Sequence, residues 1–301
     1  MPELPEVQAL SDFLDTRLDG LAITGVELGS VAVLKTYDPA PDALVGLMVA
    51  GVGRHGKFVD IDCDGLHLIF HLARAGWLRW SETAPKARLR PGRSPIALRV
   101  RFSDDSGFDL TEAGTKKGLA VYLVESPAAV PGIATLGPDP LSPDFTVQAL
   151  AGILADRKKQ LKGLLREQSV IAGVGNAYSD EILHAARMSP YALASSLDDA
   201  DIDRLFQAMT DTLAEAVARL HEAMLRTLHR AVAAASGKPA AELKDAKRAG
   251  MAVHGRAGQP CPVCGDTVRE VSFADSSLQY CPTCQTGGKP LADRRMSRLL
   301  K

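Results

Sequence analysis

Four cysteines near the end of this chain limit what it can fold into more than any other feature. Cys261-Pro-Val-Cys264 and Cys281-Pro-Thr-Cys284 are separated by 16 residues. Each CxxC forms a tight knuckle presenting two thiolates, and two knuckles at this spacing suit one tetrahedral zinc ion. Gly265 eases the first turn, and the runs Thr267 to Phe273 and Leu278 to Tyr280 can pair as a two-stranded ribbon. So short a segment cannot bury a core of its own, and a structural Zn2+ substitutes for one. A redox dithiol needs only one such pair, so two matched pairs argue against it. The fifth cysteine, Cys63, stands alone in a strand-like run and reads as a small core residue.

The 301 residues leave room for two or three small domains, and 46% hydrophobic with 24% charged residues is ordinary for a globular chain. No apolar stretch reaches the ~18 residues of a membrane span. Glu3 and Glu6 at the start, with no basic run, do not suit a secretory signal, so a cytoplasmic protein is expected. A net charge of −1 does not announce a polyanion binder. Its distribution says more: residues 1–130 hold 14 basic and 17 acidic side chains, whereas residues 244–301 hold 10 basic and 5 acidic. That local excess can meet phosphates, or can be a solvated basic tail.

Hydrophobic periodicity divides the chain. The first 20 residues read as a helix, with Pro5 in its first turn and Val7, Leu10, Phe13, Leu14 and Leu18 on one face. Phe58 to Cys63 alternates, with Val59, Ile61 and Cys63 on one side and the aspartates on the other; Asp64-Gly65 signals a hairpin into Leu66 to Leu72. Ile96 to Phe102 alternates too, and Ser106-Gly107 turns the chain into Phe108 and Leu110. These short strands predict an N-terminal β-sandwich with a flanking helix over residues 1–130. The Pro- and Gly-rich stretch 131–143 reads as a linker. From 144 to 250 the period is helical: Leu150, Ile153, Leu154, Leu161, Leu164 and Leu165 share a face, and a turn at Ala172-Gly-Val-Gly175 precedes a helix from about Asn176 to Arg187. Ser196 reads as the cap of a further helix carrying Leu205, Met209, Leu213, Val217 and Leu220, and residues 236–250 as a loop. The ribbon occupies 251–286 and a basic tail 287–301. The class is α+β multidomain.

The amino terminus, MPELPEV, has a chemical reading. Removal of Met1 leaves Pro2 with a free secondary amine. An α-amino group titrates near ~7.7–8 against ~10.4 for lysine, so it is far readier to form a Schiff base near neutral pH. Glu3 and Glu6 lie within reach as acid and base. The same heptapeptide also reads as a plain helix start, with Pro and Glu in the usual capping places.

Together these stretches resemble the formamidopyrimidine-DNA glycosylase/endonuclease VIII (Fpg/Nei) family. The resemblance runs through MPELPEV, Gly53 to Val59 (GRHGKFV), Phe70 to Leu78 (FHLARAGWL), Leu136 to Leu141, Lys162 onward through Gly173 to Leu183 (GVGNAYSDEIL), and HGRAGQPCPVCG with YCPTCQ. It implies a β-sandwich, a helix–two-turns–helix DNA-binding domain and a zinc ribbon ligated by Cys261, Cys264, Cys281 and Cys284. It implies a bifunctional glycosylase/AP lyase of base-excision repair, acting on nucleoid duplex DNA with an oxidised base or abasic site; with no self-complementary apolar stripe left over in the sequence, a monomer is expected. Pro2 would attack C1′ and form the Schiff base. Glu3 would assist base loss and proton transfers, and Glu6 would support the site. Lys57 would contact a phosphate near the lesion. Asn176, with turn amides around Gly173 and Gly175, would clamp another, and Lys162 would add a basic contact. Asn176 also reads as a helix N-cap, a role compatible with anion binding.

Three departures from the family bear on lesion choice. The arginine usual five residues before the third cysteine is Ser276 here, with Leu278 for a usual threonine; Arg269 is the candidate replacement. Arg74 stands where the formamidopyrimidine branch has the methionine of HLGMSG. Glu112 to Lys117 aligns with that branch's DPRRFG loop, leaving Arg74, Lys116 and Lys117 to flank the DNA, although a cation is not an apolar wedge. A non-catalytic binder of damaged or abasic DNA is the alternative reading, and a zinc-ribbon module unrelated to damage is a third.

Overall fold

The computed structural model describes residues 1–90, 95–113, 117–155, 157–228, 241–273 and 276–292. These form two compact units, Met1–Thr135 with Val217–Ala246, and Leu136–Ala216 with Lys247–Lys301. Among the described residues no helix is long and apolar enough to cross a membrane.

The first unit opens with helix α1 (Leu4–Leu18). Eight strands follow: β1 (Ile23–Leu28), β2 (Val49–His55), β3 (Phe58–Cys63), β4 (Leu66–His71), β5 (Gly76–Ser81), β6 (Ile96–Phe102), β7 (Gly107–Glu112) and β8 (Ala120–Val124). They make two antiparallel four-stranded sheets, β1-β6-β7-β5 and β2-β3-β4-β8. The alternating residues Val59, Ile61, Cys63, Leu98, Val100, Phe108 and Leu110 fill the core with Leu10, Phe13, Leu14 and Leu18 of α1. A period of two on the strands and 3.6 on the helix turns the apolar sets toward one another. Asp60 departs from the outward pattern. It is buried, and its two oxygens lie 3.0 Å from His55 Nε2 and 2.8 Å from His67 Nδ1. Inside the same unit Arg99 and Asp109 form a buried bidentate pair on facing strands, at 2.6 and 2.9 Å.

The expected linker begins with a short helix, α2 (Pro131–Ala134), and the unit boundary falls after Thr135. The second unit holds α3 (Val147–Leu154), α4 (Leu161–Leu165) and α5 (Asn176–Ala185). Helix α6 (Asp199–Leu228) is divided: residues from Val217 cluster with the first unit, where Leu220, Ala223 and Met224 join the core. Ser196 is not its cap. It ends a 3-10 turn and its hydroxyl donates to the Leu193 carbonyl, while Asp198 Oδ1 accepts the Asp201 N–H at 2.8 Å and so caps the first turn. Part of the expected 236–250 loop is helical, α7 (Ala241–Ala249), with Leu243 buried; residues 229–240 lie outside the described ones. The ribbon follows as β9 (Arg269–Ser272), β10 (Ser277–Tyr280) and α8 (Pro282–Thr286). Val271, Leu278 and Tyr280 form its small core with Tyr191, which explains an apolar residue at 278.

Candidate active site and nucleic-acid interface

In the first unit the amino end is built by capping. Glu3 is the N-cap of α1, its N–H donates to Glu6 Oε2 at 2.9 Å, and the Glu3 side chain accepts from the Glu6 backbone in return. Pro5 lies in the first turn, where its missing N–H leaves no bond unmade. Glu3 is 3% exposed and Glu6 7%. The reciprocal bond fixes the backbone immediately after Pro2, and the N–H groups at the helix start favour negative charge beside it.

Three contacts set the direction of α1 along β2. Val52 N–H donates to Asp15 Oδ1 (2.8 Å), Ser11 Oγ donates to the Gly53 carbonyl (3.1 Å), and Arg54 Nε donates to Gln8 Oε1 (2.8 Å). The helix therefore runs antiparallel to the strand. Gln8 lies near the start of α1, and Arg54 is next to the last residue of β2, where the Gly56-Lys57 turn begins. The amino end and the Lys57 turn thus approach the same edge of the unit. Arg54 Nη1 also closes that turn on the Gly56 carbonyl at 2.9 Å, with Gly56 at φ 57°. Lys57 is only 7% exposed, so its position is set by packing.

Beside it lies His71, which sequence reading passed over. It pairs in register with Phe58, and the two rings are 4.8 Å apart. Burial, reinforced by the Lys57 charge, lowers the His71 pKa to about 4. Its Nδ1 accepts the Ala73 N–H at 3.2 Å, which needs that nitrogen unprotonated. The unfolded chain takes up this proton near ~6.5 while the folded chain does not. Its contribution is therefore complete above that pH and is lost as pH falls toward about 4. Urea unfolding at pH 7.5 and 5 should show a loss of about 1–2 kcal/mol that a His71→Gln variant lacks, after allowance for solvent screening. An unchanged pH slope in that variant would refute the assignment.

Arg74 is exposed in the turn between β4 and β5, closed by the Gly76 N–H on the Leu72 carbonyl at 2.8 Å. A Cβ at Gly76 would meet that carbonyl at 2.3 Å, so glycine is required there. Lys117 donates to the Glu112 carbonyl at 2.6 Å, while Lys116 lies outside the described residues.

The second unit organises the glycine turn. Gln168 Oε1 accepts the Gly173 N–H (3.0 Å) and its Nε2 donates to the Val174 carbonyl (2.7 Å). Gly173 adopts φ 82°, which a side chain would oppose. Gly175, not Asn176, is the N-cap of α5; Asn176 is the first helical residue. Its Nδ2 donates to the Ser277 carbonyl at 2.9 Å, tying the turn to the ribbon hairpin. The result is a helix N-terminus beside the ribbon hairpin, and the dipole at such an end favours an anion.

Two expectations in this unit are revised. Lys162 is 5% exposed, and its Nζ bonds Asp180 Oδ1 (2.5 Å), Ser179 Oγ (3.0 Å) and the Asn176 carbonyl (3.1 Å). It braces the start of α5 instead of reaching outward. Arg269 pairs with Tyr280, beside Cys281, at the far end of the ribbon from the Ser272–Ser277 pair. Three residues of strand, about 10 Å, separate it from the tip that carries Ser276. It does not take the place of a tip arginine.

The four cysteines converge. Cys264 and Cys281 sulfurs are 3.3 Å apart and those of Cys261 and Cys284 3.9 Å. These separations fit thiolates around one tetrahedral ion bound at about 2.3 Å. His184 of α5 reaches the same cluster.

Comparison with known proteins accounts for the whole layout. Three family models match in order: the formamidopyrimidine-DNA glycosylase N-terminal domain over residues 1–117, its H2TH domain over 136–228, and the zinc finger found in FPG and IleRS over 258–287. The formamidopyrimidine-DNA glycosylase of Symbiobacterium thermophilum is 35% identical, over 98% of this chain and 93% of its own. This chain belongs to the formamidopyrimidine-DNA glycosylase (Fpg) family. A formamidopyrimidine-DNA glycosylase-like protein of Mycobacterium tuberculosis is 54% identical to 58% of this Fpg-family chain, across 99% of its own length. Lactococcus lactis Fpg, solved with DNA containing N7-benzyl-Fapy-dG, superposes with a TM-score of 0.77 at 25% identity, covering 95% of this chain and 100% of that one. The same fold is seen in L. lactis Fpg bound to abasic-site DNA, with a TM-score of 0.77, 24% identity, and coverage of 94% and 99%.

Proposed function

We propose that this Fpg-family chain is a base-excision DNA glycosylase and AP lyase that acts on duplex DNA through a Schiff base at Pro2. The observation that carries the reading is the capped, buried start of α1, which lies against the end of β2 that leads into the Lys57 turn. Relatives bearing the glycosylase name, and the L. lactis enzyme solved with N7-benzyl-Fapy-dG and with abasic-site DNA, support it.

In this mechanism the processed Pro2 nitrogen attacks C1′ of an extruded nucleotide. The base leaves as the N-glycosidic bond breaks, and the sugar opens to an iminium. Glu3 carries protons at the sugar, and removal of a C2′ proton expels the 3′-phosphate. Glu6 holds the Glu3 backbone. Lys57 neutralises a phosphate beside the lesion, and the start of α5 at Gly175 and Asn176 holds another, since phosphate contacts position the backbone without reading sequence. Arg74, Lys116 and Lys117 flank the duplex. Cys261, Cys264, Cys281 and Cys284 would hold a structural Zn2+, which would cross-link the ribbon beside its small apolar core. Acting on duplex DNA, the protein works on the nucleoid.

Ser276 and Arg74 favour abasic sites as the first substrate. Cleavage of an existing abasic site requires no base recognition, so it tolerates loss of a tip arginine and of an apolar wedge. The test is nicking of a duplex with one abasic site, with borohydride trapping of the intermediate. A covalent adduct and a strand break are expected. Selective binding without a break would leave a non-catalytic binder, and equal affinity for intact and abasic duplex at matched salt would remove the damage reading.

A further inference from the structure

The metal cluster contains one donor more than an ion needs. His184 lies on α5, outside both CxxC knuckles, yet its Nε2 is 3.3 Å from Cys261 Sγ. The donor atoms of His184, Cys261, Cys281 and Cys284 all lie within 4.8 Å of one another. An ion held at about 2.0–2.3 Å by nitrogen and sulfur places neighbouring ligands roughly 3.5–3.8 Å apart. The observed separations bracket that range, so either an imidazole or the remaining thiolate could complete the tetrahedron.

These donors differ in their surroundings. His184, Cys261 and Cys281 are buried, whereas Cys264 is exposed, between Val263 and the left-handed turn at Gly265. The buried set is braced against the helical part of the same unit. Gln285 Nε2 donates to the Met188 carbonyl at 2.9 Å, and Gln285 Oε1 accepts the Cys281 N–H at 2.9 Å. We propose that His184 is a reserve ligand: four cysteines hold the zinc, and His184 takes the fourth position when Cys264 dissociates. The ion would then stay on the buried Cys261 and Cys281, the half-buried Cys284 and one imidazole, keeping the hairpin that Asn176 bonds. The inference goes beyond the DNA-directed reading and stands without it.

The test uses the full chain loaded with Co2+, whose spectrum counts thiolate ligands. Cys264→Ser should retain about one metal per chain, with thiolate charge-transfer absorbance lower by about a quarter and its d–d bands shifted toward a three-sulfur, one-nitrogen site. His184→Phe alone should keep a four-sulfur spectrum, which also reports that this variant folds. Adding His184→Phe to Cys264→Ser should weaken retention against a chelator by at least about tenfold. The proposal is overturned if Cys264→Ser releases metal as readily as Cys281→Ser, or if His184→Phe leaves Cys264→Ser retention unchanged. It is equally overturned if His184→Phe alone loses the metal. A histidine that only donates N–H to the Cys261 thiolate would give the second of these results.

Discussion

A chain whose Pro2 nitrogen is blocked as an amide, by retaining one residue ahead of it, is expected to give no borohydride-trapped adduct. Its abasic-site nicking should fall by about 10²–10⁴-fold, the range lost when a reacting group is removed. The reason is electronic. The nucleophile must present a lone pair, and an amide nitrogen has none to give. At pH 7.5 an α-amine titrating near ~7.7–8 is roughly a third neutral, while a lysine near ~10.4 is about a thousandth neutral. No lysine in an ordinary environment can therefore stand in at a comparable rate. Binding should behave differently. The phosphate contacts proposed for Lys57 and for the α5 start do not involve this nitrogen, so affinity for a stable abasic analogue should change little. Intact-protein mass spectrometry fixes the state of the amino end in each preparation. A blocked chain that still traps as well as the processed one would remove Pro2 from the chemistry.

Much of this arrangement could be read before any coordinates because the deciding residues lie close together in sequence. The two CxxC knuckles, the alternation of Val59, Ile61 and Cys63, and the apolar face of Val7 to Leu18 each follow from a short repeat. MPELPEV named the amino end, and its capping geometry is local too. What could not be read depends on pairings across distance. Nothing near Gln168 says that it will bind both sides of the Gly173–Val174 turn. Glu181 looks like an ordinary helix charge, yet its carboxylate accepts the backbone N–H groups of Ala252, Val253 and His254 at 2.7–3.0 Å. Burial pushes its pKa up, and those three bonds oppose the rise. The acidic pair Asp180-Glu181 before the apolar Ile182-Leu183 was the available signal, because charges on a buried helix face need partners. Lys162 and Arg269 were misjudged for a related reason. Charge in a sequence suggests a surface, but burial or strand register decides where that charge ends up.

Asp180 is where this burial has its largest energetic effect. Its carboxylate is 0% exposed and bridges Lys162 Nζ at 2.5 Å and His254 Nδ1 at 2.8 Å. Asp180→Asn keeps the shape but removes the negative charge that faces the Lys162 ammonium, itself almost wholly buried. Removing one partner of a buried pair typically costs about 3–5 kcal/mol, because the other charge is left without compensation. Urea unfolding followed by circular dichroism should show a loss of that size. Lys162→Met in the same chain should restore much of it, since two uncharged groups of similar volume need no compensation. The DNA readout separates bracing from mere stability. Lys162 bonds the carbonyl of the first residue of α5, so the single Asp180→Asn variant should also bind an abasic-analogue duplex more weakly while it is still folded. If Asp180→Asn costs less than about 1 kcal/mol, or the double variant is no better than the single, the buried pair is not what holds the α5 start in place.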